Sequence, residues 1–188
     1  MIARVQTLRR SGAVMSSDRL YRYALSRRTE GSGPAIQLNM AGVVTKIERG
    51  RYCAFCLLNP STASEVANDA TVRKCLGFAQ RWGFGGIDVV NLFAYRATDP
   101  DELRAQTDPV GPYNDGWILD VAREAELVVL GWGNHGTLHG RGMRVRTLLQ
   151  AAGITLHCLG STKSAQPRHP LYVSYDQPLE TIALRGVA

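Results

Sequence analysis

Val89-Val90-Asn91-Leu92-Phe93-Ala94-Tyr95-Arg96-Ala97-Thr98-Asp99-Pro100 opens apolar and turns polar at its far end. Continuous apolar character suits a parallel strand covered on both faces, where no side faces water. In open α/β sheets the ligand crevice lies where such strands end. Asn91, Tyr95, Arg96, Thr98 and Asp99 are therefore polar groups expected at that edge.

Working outward, Tyr52 to Leu58 reads as a second buried strand, stopped at Asn59-Pro60 because proline cannot donate to a ladder. Asn68 or Asp69 then caps a helix carrying Val72, Cys75, Leu76, Ala79 and Trp82 on one face, closed by Gly83. Asn114 or Asp115 caps another, with Ile118, Leu119, Ala122 and Ala125 facing inward. Leu127 to Trp132 and Ile154 to Leu159 are further strands, separated by a helix from about Arg141 to Ala152. Tyr21 to Ser26 alternates and reads as an edge strand, and Val43 to Ile47 as a short one. Alternating strands and helices predict an α/β fold: a three-layer sandwich with a mostly parallel central sheet. The expected organisation is a loose basic arm over 1–20 and a single α/β domain over 21–188, with Met15 as an alternative start to Met1.

The chain has 188 residues, 45% hydrophobic and 20% charged, which suits one soluble globular domain. The start has no signal-peptide core and no apolar run reaches membrane-spanning length. The expectation is a cytoplasmic monomer. Cys53, Cys56, Cys75 and Cys158 read as buried thiols. Cys53 and Cys56 have C-x-x-C spacing, but three residues apart in a strand they point to opposite faces, so no metal is expected. The net charge is +6, and 127–175 contains no Asp or Glu while holding Arg141, Arg144, Arg146, Lys163, Arg168 and all four histidines. That suits a polyanion, and equally a basic helix face.

Four strand exits carry the polar chemistry: Asn59-Pro60-Ser61-Thr62, Asn91 to Asp99, Gly131 to Gly136, and Ser161 to His169. Parallel strands bring all four to one edge. Asn91 in an apolar strand must find partners, and an amide offers a donor and an acceptor side by side, as a base edge requires. Pro167 and Pro170 stiffen the loop holding His169, whose imidazole can donate to a developing anion. His135 lies beside Gly136, where backbone can approach a phosphate. Gly131-Trp132-Gly133 is not a dinucleotide fingerprint, and the chain has neither a phosphate-binding G-K-[ST] loop nor a nucleophile elbow.

Leu58-Asn59-Pro60-Ser61-Thr62-Ala63, Arg81-Trp82-Gly83, Val90 to Thr98 and Pro167-Arg168-His169-Pro170-Leu171-Tyr172 together resemble a bacterial and phage family of unknown function, over about residues 20–180. More distantly, the chain resembles the uracil-DNA glycosylase superfamily. That resemblance matches Asn59-Pro60 to the motif that positions the attacking water. It matches Asn91 to the asparagine that reads uracil, and His169-Pro170 to the final His-Pro loop. The sequence departs from the pattern at Leu171, where that superfamily has serine, and at Leu57, where it usually has glycine. The likeness implies a glycosylase-like fold and a DNA-repair hydrolase cleaving the N-glycosidic bond of uracil or a modified base, without a cofactor. Asn59 and His169 would be catalytic, and Asn91, Tyr95, Ser61 and Thr62 would bind the base. Arg96, His135, Lys163, Arg168, Arg141 and Arg144 would hold phosphates. The alternatives are a non-catalytic nucleic-acid or nucleotide binder on the same scaffold, and an enzyme of free modified-nucleotide metabolism.

Overall fold

The computed structural model of the protein describes residues 11–29, 35–38, 44–48, 51–61 and 68–183. In chain order the elements begin with β1 (Gly12–Met15), β2 (Arg22–Arg28), β3 (Ala35–Leu38), β4 (Val44–Glu48), β5 (Cys53–Leu57) and α1 (Ala70–Arg81). They continue with β6 (Gly86–Asn91), α2 (Pro100–Ala105), α3 (Asn114–Glu124), β7 (Leu127–Leu130), α4 (Arg141–Ala151), β8 (Leu156–Cys158) and β9 (Glu180–Thr181). Short 3₁₀ segments cover Asn134–Gly140 and Pro170–Tyr172.

Seven strands form one sheet in the order β1-β2-β6-β5-β7-β8-β9, while β3 and β4 pair separately. β6, β5, β7 and β8 are mutually parallel; β1, β2 and β9 run antiparallel at the flanks. The sheet is therefore mixed, which corrects the expectation of a mostly parallel one. The cause lies in β2, whose alternation suggested an exposed edge but which is paired on both sides. Ser26 and Arg27 on it are buried. Arg27 Nε donates to Asn68 Oδ1 at 2.6 Å and its guanidinium to the Ser26 carbonyl at 2.9 Å. Next to them Arg28 donates to both oxygens of Asp88, at 2.8 and 3.0 Å. Polar residues that pattern alone assigns to water are satisfied internally.

The expected basic arm over 1–20 also shortens, because Gly12–Met15 is a strand of the sheet; residues 1–10 lie outside the described set. β9 has only two residues, too few to leave a periodic signal.

The sheet has a core on each face. Phe55, Leu57, Ile87, Val89 and Val129 pack with Val72, Cys75, Phe78 and Ala79 of α1. Ala54, Cys56, Val90, Val128 and Leu130 pack with Trp117, Ile118 and Val121 of α3 and Val145 and Leu149 of α4. Each large side chain fully buried here, such as Phe55, Phe78 or Leu149, contributes about 1.5–3 kcal/mol relative to exposure. Cys53 and Cys56 fall in opposite cores, as strand alternation requires. α1 starts at Asp69, whose carboxylate accepts from the Val72 amide at 2.7 Å. α3 is different: Tyr113 holds the cap position without a side-chain bond, and both expected caps, Asn114 and Asp115, lie in the first turn, Asn114 buried.

Among the described residues, no helix is long and apolar enough to cross a membrane.

Candidate functional site

The parallel register brings four chain exits level. Leu57 is paired with Asn91, Cys56 with Leu130, and Leu130 with Cys158. Loops leaving β5, β6, β7 and β8 thus share one edge of the sheet.

Asn91 ends β6 and is 1% exposed. By alternation with Ile87 and Val89 it belongs to the face covered by α1. Its Nδ2 is buried and has no hydrogen-bond partner among the described residues. A buried donor left unmet by protein, water or ligand costs about 1–3 kcal/mol. Its backbone is fixed from the other face. Asn114 Nδ2 donates to the carbonyls of Asn91 and Leu92, both at 2.9 Å. Arg141 Nε also donates to the Leu92 carbonyl, at 2.8 Å.

On the α1 face the strand ends run Asn91, Leu57, Gly131. Two strand spacings, roughly 9–10 Å, separate the first from the last. Pro170 sits directly over Gly131: a Cβ there would lie 2.8 Å from Pro170 Cδ and 3.3 Å from Leu57 Cδ2. Gly133 (φ +68°) turns the chain back, and its amide donates to the Pro167 carbonyl at 2.8 Å. These contacts seat His169 above the exit of β7, half-buried, with its ring centroid 5.7 Å from that of Tyr172. Its Nδ1 accepts from the Leu171 amide at 3.4 Å. Burial holds the imidazole below its usual value, and the Asp69 carboxylate opposes that shift. A neutral ring accepting at Nδ1 carries its proton on Nε2.

Asn59 reaches sideways, with Nδ2 donating to the carbonyls of Ala97 at 2.7 Å and Pro60 at 3.1 Å. It ties the β5 exit to the β6 exit. Ser61 Oγ donates to Asp69 Oδ2 at 3.1 Å, joining that loop to the start of α1. Thr62 lies outside the described residues. Tyr95 packs its ring edge-on to Tyr21, with centroids 6.1 Å apart. Arg96 donates to the Arg19 carbonyl at 3.2 Å, and Arg168 to the Tyr172 carbonyl at 3.4 Å. His135, Arg144 and Lys163 are exposed. Arg141 is not: it is 3% exposed, and its guanidinium is spent on the Leu92 carbonyl and the Asp115 carboxylate. The structure thus puts Arg141 in the support of the strand end and not on an outer surface.

Sequence reasoning missed Asn114 and Asp69 as parts of this edge. Both were read as caps, and only Asp69 is one. Among the described residues no group of three or more His, Cys, Asp or Glu is placed to hold a metal ion.

A family model described as "Protein of unknown function (DUF1643)" matches residues 22–171. No curated protein and no solved structure matches the chain.

Proposed function

The chain belongs to the DUF1643 family of proteins of unknown function, and on that premise we propose that its carboxyl-edge site handles a nucleic-acid base, as a glycosylase-like hydrolase of the N-glycosidic bond. The observation that carries this reading is Asn91 Nδ2, a buried donor without a partner among the described residues on an otherwise apolar strand end. An amide so placed reads an acceptor on a base edge, and binding would remove the cost of leaving it unmet. The base must leave its stack to reach it.

The remaining roles follow from the hydrogen bonds. His169 Nε2–H donates to negative charge growing on the departing base as the bond to the sugar carbon breaks and its electron pair moves to the base. Water then bonds to that carbon and releases a proton to solvent. Asn59 has its Nδ2 engaged, so its Oδ1 is the atom that accepts from this water. Exposed Arg144, Lys163 and His135, with Arg168, supply phosphate contacts, which makes affinity fall with salt. The fold likeness to uracil-DNA glycosylases and a DNA substrate belong to this same proposal.

A second reading, a non-catalytic nucleotide or nucleic-acid binder, is favoured by one observation. Asn59 and Ser61 each spend a donor on internal bonds, as loop braces do. The experiment is a panel of uracil and modified-base oligonucleotides scored for abasic sites, with Asn59→Ala, Asn91→Ala and His169→Ala. Base release lost in Asn91→Ala and His169→Ala supports the hydrolase. Binding without release supports the binder, and activity unchanged in all three variants rejects the site.

A further inference from the structure

A cavity of about 380 Å³ opens beside the exits of β7 and β8, on the face of the sheet opposite Asn91. Leu130, Trp132 and Cys158 form its floor, and Leu130 and Trp132 pack in the core with Ile118, Val145 and Leu149. The loop after β8 forms one wall, contributing Ser161, Ser164 and Gln166. The other wall is the start of α4, with Gly140, Gly142 and Arg146.

Three features point to an anion. First, Arg146 lines the cavity with its Nε buried and unpartnered among the described residues, while its Nη2 donates to the Ala183 carbonyl at 2.8 Å. A guanidinium has five N–H donors, so its capacity is far from used. Second, α4 is eleven residues long and no side chain caps its N-terminus; the Arg141 amide is taken by the Gly136 and Leu138 carbonyls, while Gly142 and Met143, next along, line this cavity. Helix starts favour phosphate through exposed amides and the dipole. Third, among the described residues no Asp or Glu lines the cavity. The Glu180 carboxylate, which acts on Cys158, accepts from Gln177 Nε2 at 3.5 Å.

The shape restricts the size. Trp132 is held rigidly: its Nε1 donates to Gln166 Oε1 at 3.1 Å, a Cβ at Gly136 would collide with its indole, and one at Gly142 would come within 3.1 Å of it. The volume lies in the range of small-molecule sites, and the floor is apolar while the polar groups cluster at one end.

We propose that this cavity is a binding site for a small organic phosphate monoester with a compact apolar body, its phosphate met by Arg146, Ser161, Ser164 and the start of α4. The Gln166-Pro167 segment is the partition between the two sites, since it bonds Trp132 on one side and Gly133, below His169, on the other.

Calorimetric titration of the full chain with phenyl phosphate, benzyl phosphate, inorganic phosphate and phenol tests this. Both esters are expected to saturate one site, with phenol at least tenfold weaker. Arg146→Gln is expected to weaken ester binding at least tenfold, and Ser164→Trp, at an exposed loop position, to block it. Asn91→Ala is expected to leave it unchanged. If Arg146→Gln does not fold, Ser164→Trp decides alone. Failure of both esters to bind, response to inorganic phosphate only, binding that survives the deciding variant, or loss of binding in Asn91→Ala overturns the proposal.

Discussion

Asn114 holds the end of the strand that carries Asn91: its Nδ2 donates to the Asn91 and Leu92 carbonyls at 2.9 Å each, from the opposite face of the sheet. The side chain that looks like a helix cap in the sequence is a clamp on the candidate site. Removing it by Asn114→Ala leaves the Asn91 carbonyl without this donor and is expected to cost about 1–3 kcal/mol. Asn114→Asp is expected to cost more, because a carboxylate has no proton to offer two carbonyl oxygens. Urea unfolding of the two variants measures the order. An aspartate variant as stable as the parent at pH 7 would contradict it.

Gly131 tests the seat of His169. A Cβ at 2.8 Å from Pro170 Cδ forces the His169-Pro170 loop to move. Gly131→Ala is expected to lose about 1–3 kcal/mol of stability through overpacking, and with it any activity that depends on His169. Gly12→Ala, where a Cβ meets nothing within 4 Å, is the control and should change neither.

Acid should weaken the protein in part through His169. Burial lowers its pKa in the folded state below the ordinary 6.5. As pH falls through 6.5, the unfolded chain takes up the proton first, so this contribution is present above 6.5 and is lost on acidification. Asp88 acts with the opposite sign: burial raises its carboxyl from 3.8, despite the Arg28 guanidinium beside it. The native state then takes up that proton first, so Asp88 stabilises at low pH and loses this contribution as pH rises. Comparing parent with His169→Gln cancels the Asp88 part. The variant should show a shallower fall in urea midpoint below about pH 6.5, and identical slopes would refute the buried imidazole.

All four cysteines are buried free thiols. Burial pushes Cys53 and Cys56 up to about 12, so almost none of either is thiolate at neutral pH. With Cys158, which floors the open cavity, replaced by serine, a disulfide reagent at pH 8 is expected to find no fast thiol in the native protein and three in strong denaturant. A thiol reacting at the free rate in the native state would show that one of these strands packs differently.

How much of this was legible in advance follows from what pattern can report. Tyr52 to Leu58 and the stretch opening at Val89 read as buried strands because apolar residues run on without alternation. Tyr21 to Ser26 reads as an edge strand because Arg22 and Ser26 alternate with apolar residues onto one face, yet both are buried and the strand is paired with β1 and β6, far along the chain. Arg141 was read as a phosphate contact for a related reason. A charge in a list of residues carries no record of the Asp115 and Leu92 groups that enclose it.

The chain by itself determined its helices and central strands, the separation of Cys53 from Cys56, and the meeting of four polar exits at one edge. These depend on local periodicity and on the geometry of parallel strands. Only the tertiary structure decided the antiparallel flanks, the burial of Arg141, the clamp from Asn114 to Asn91 and the cavity beside Arg146. Those depend on which distant group satisfies a buried donor or acceptor, and that is settled by packing in three dimensions.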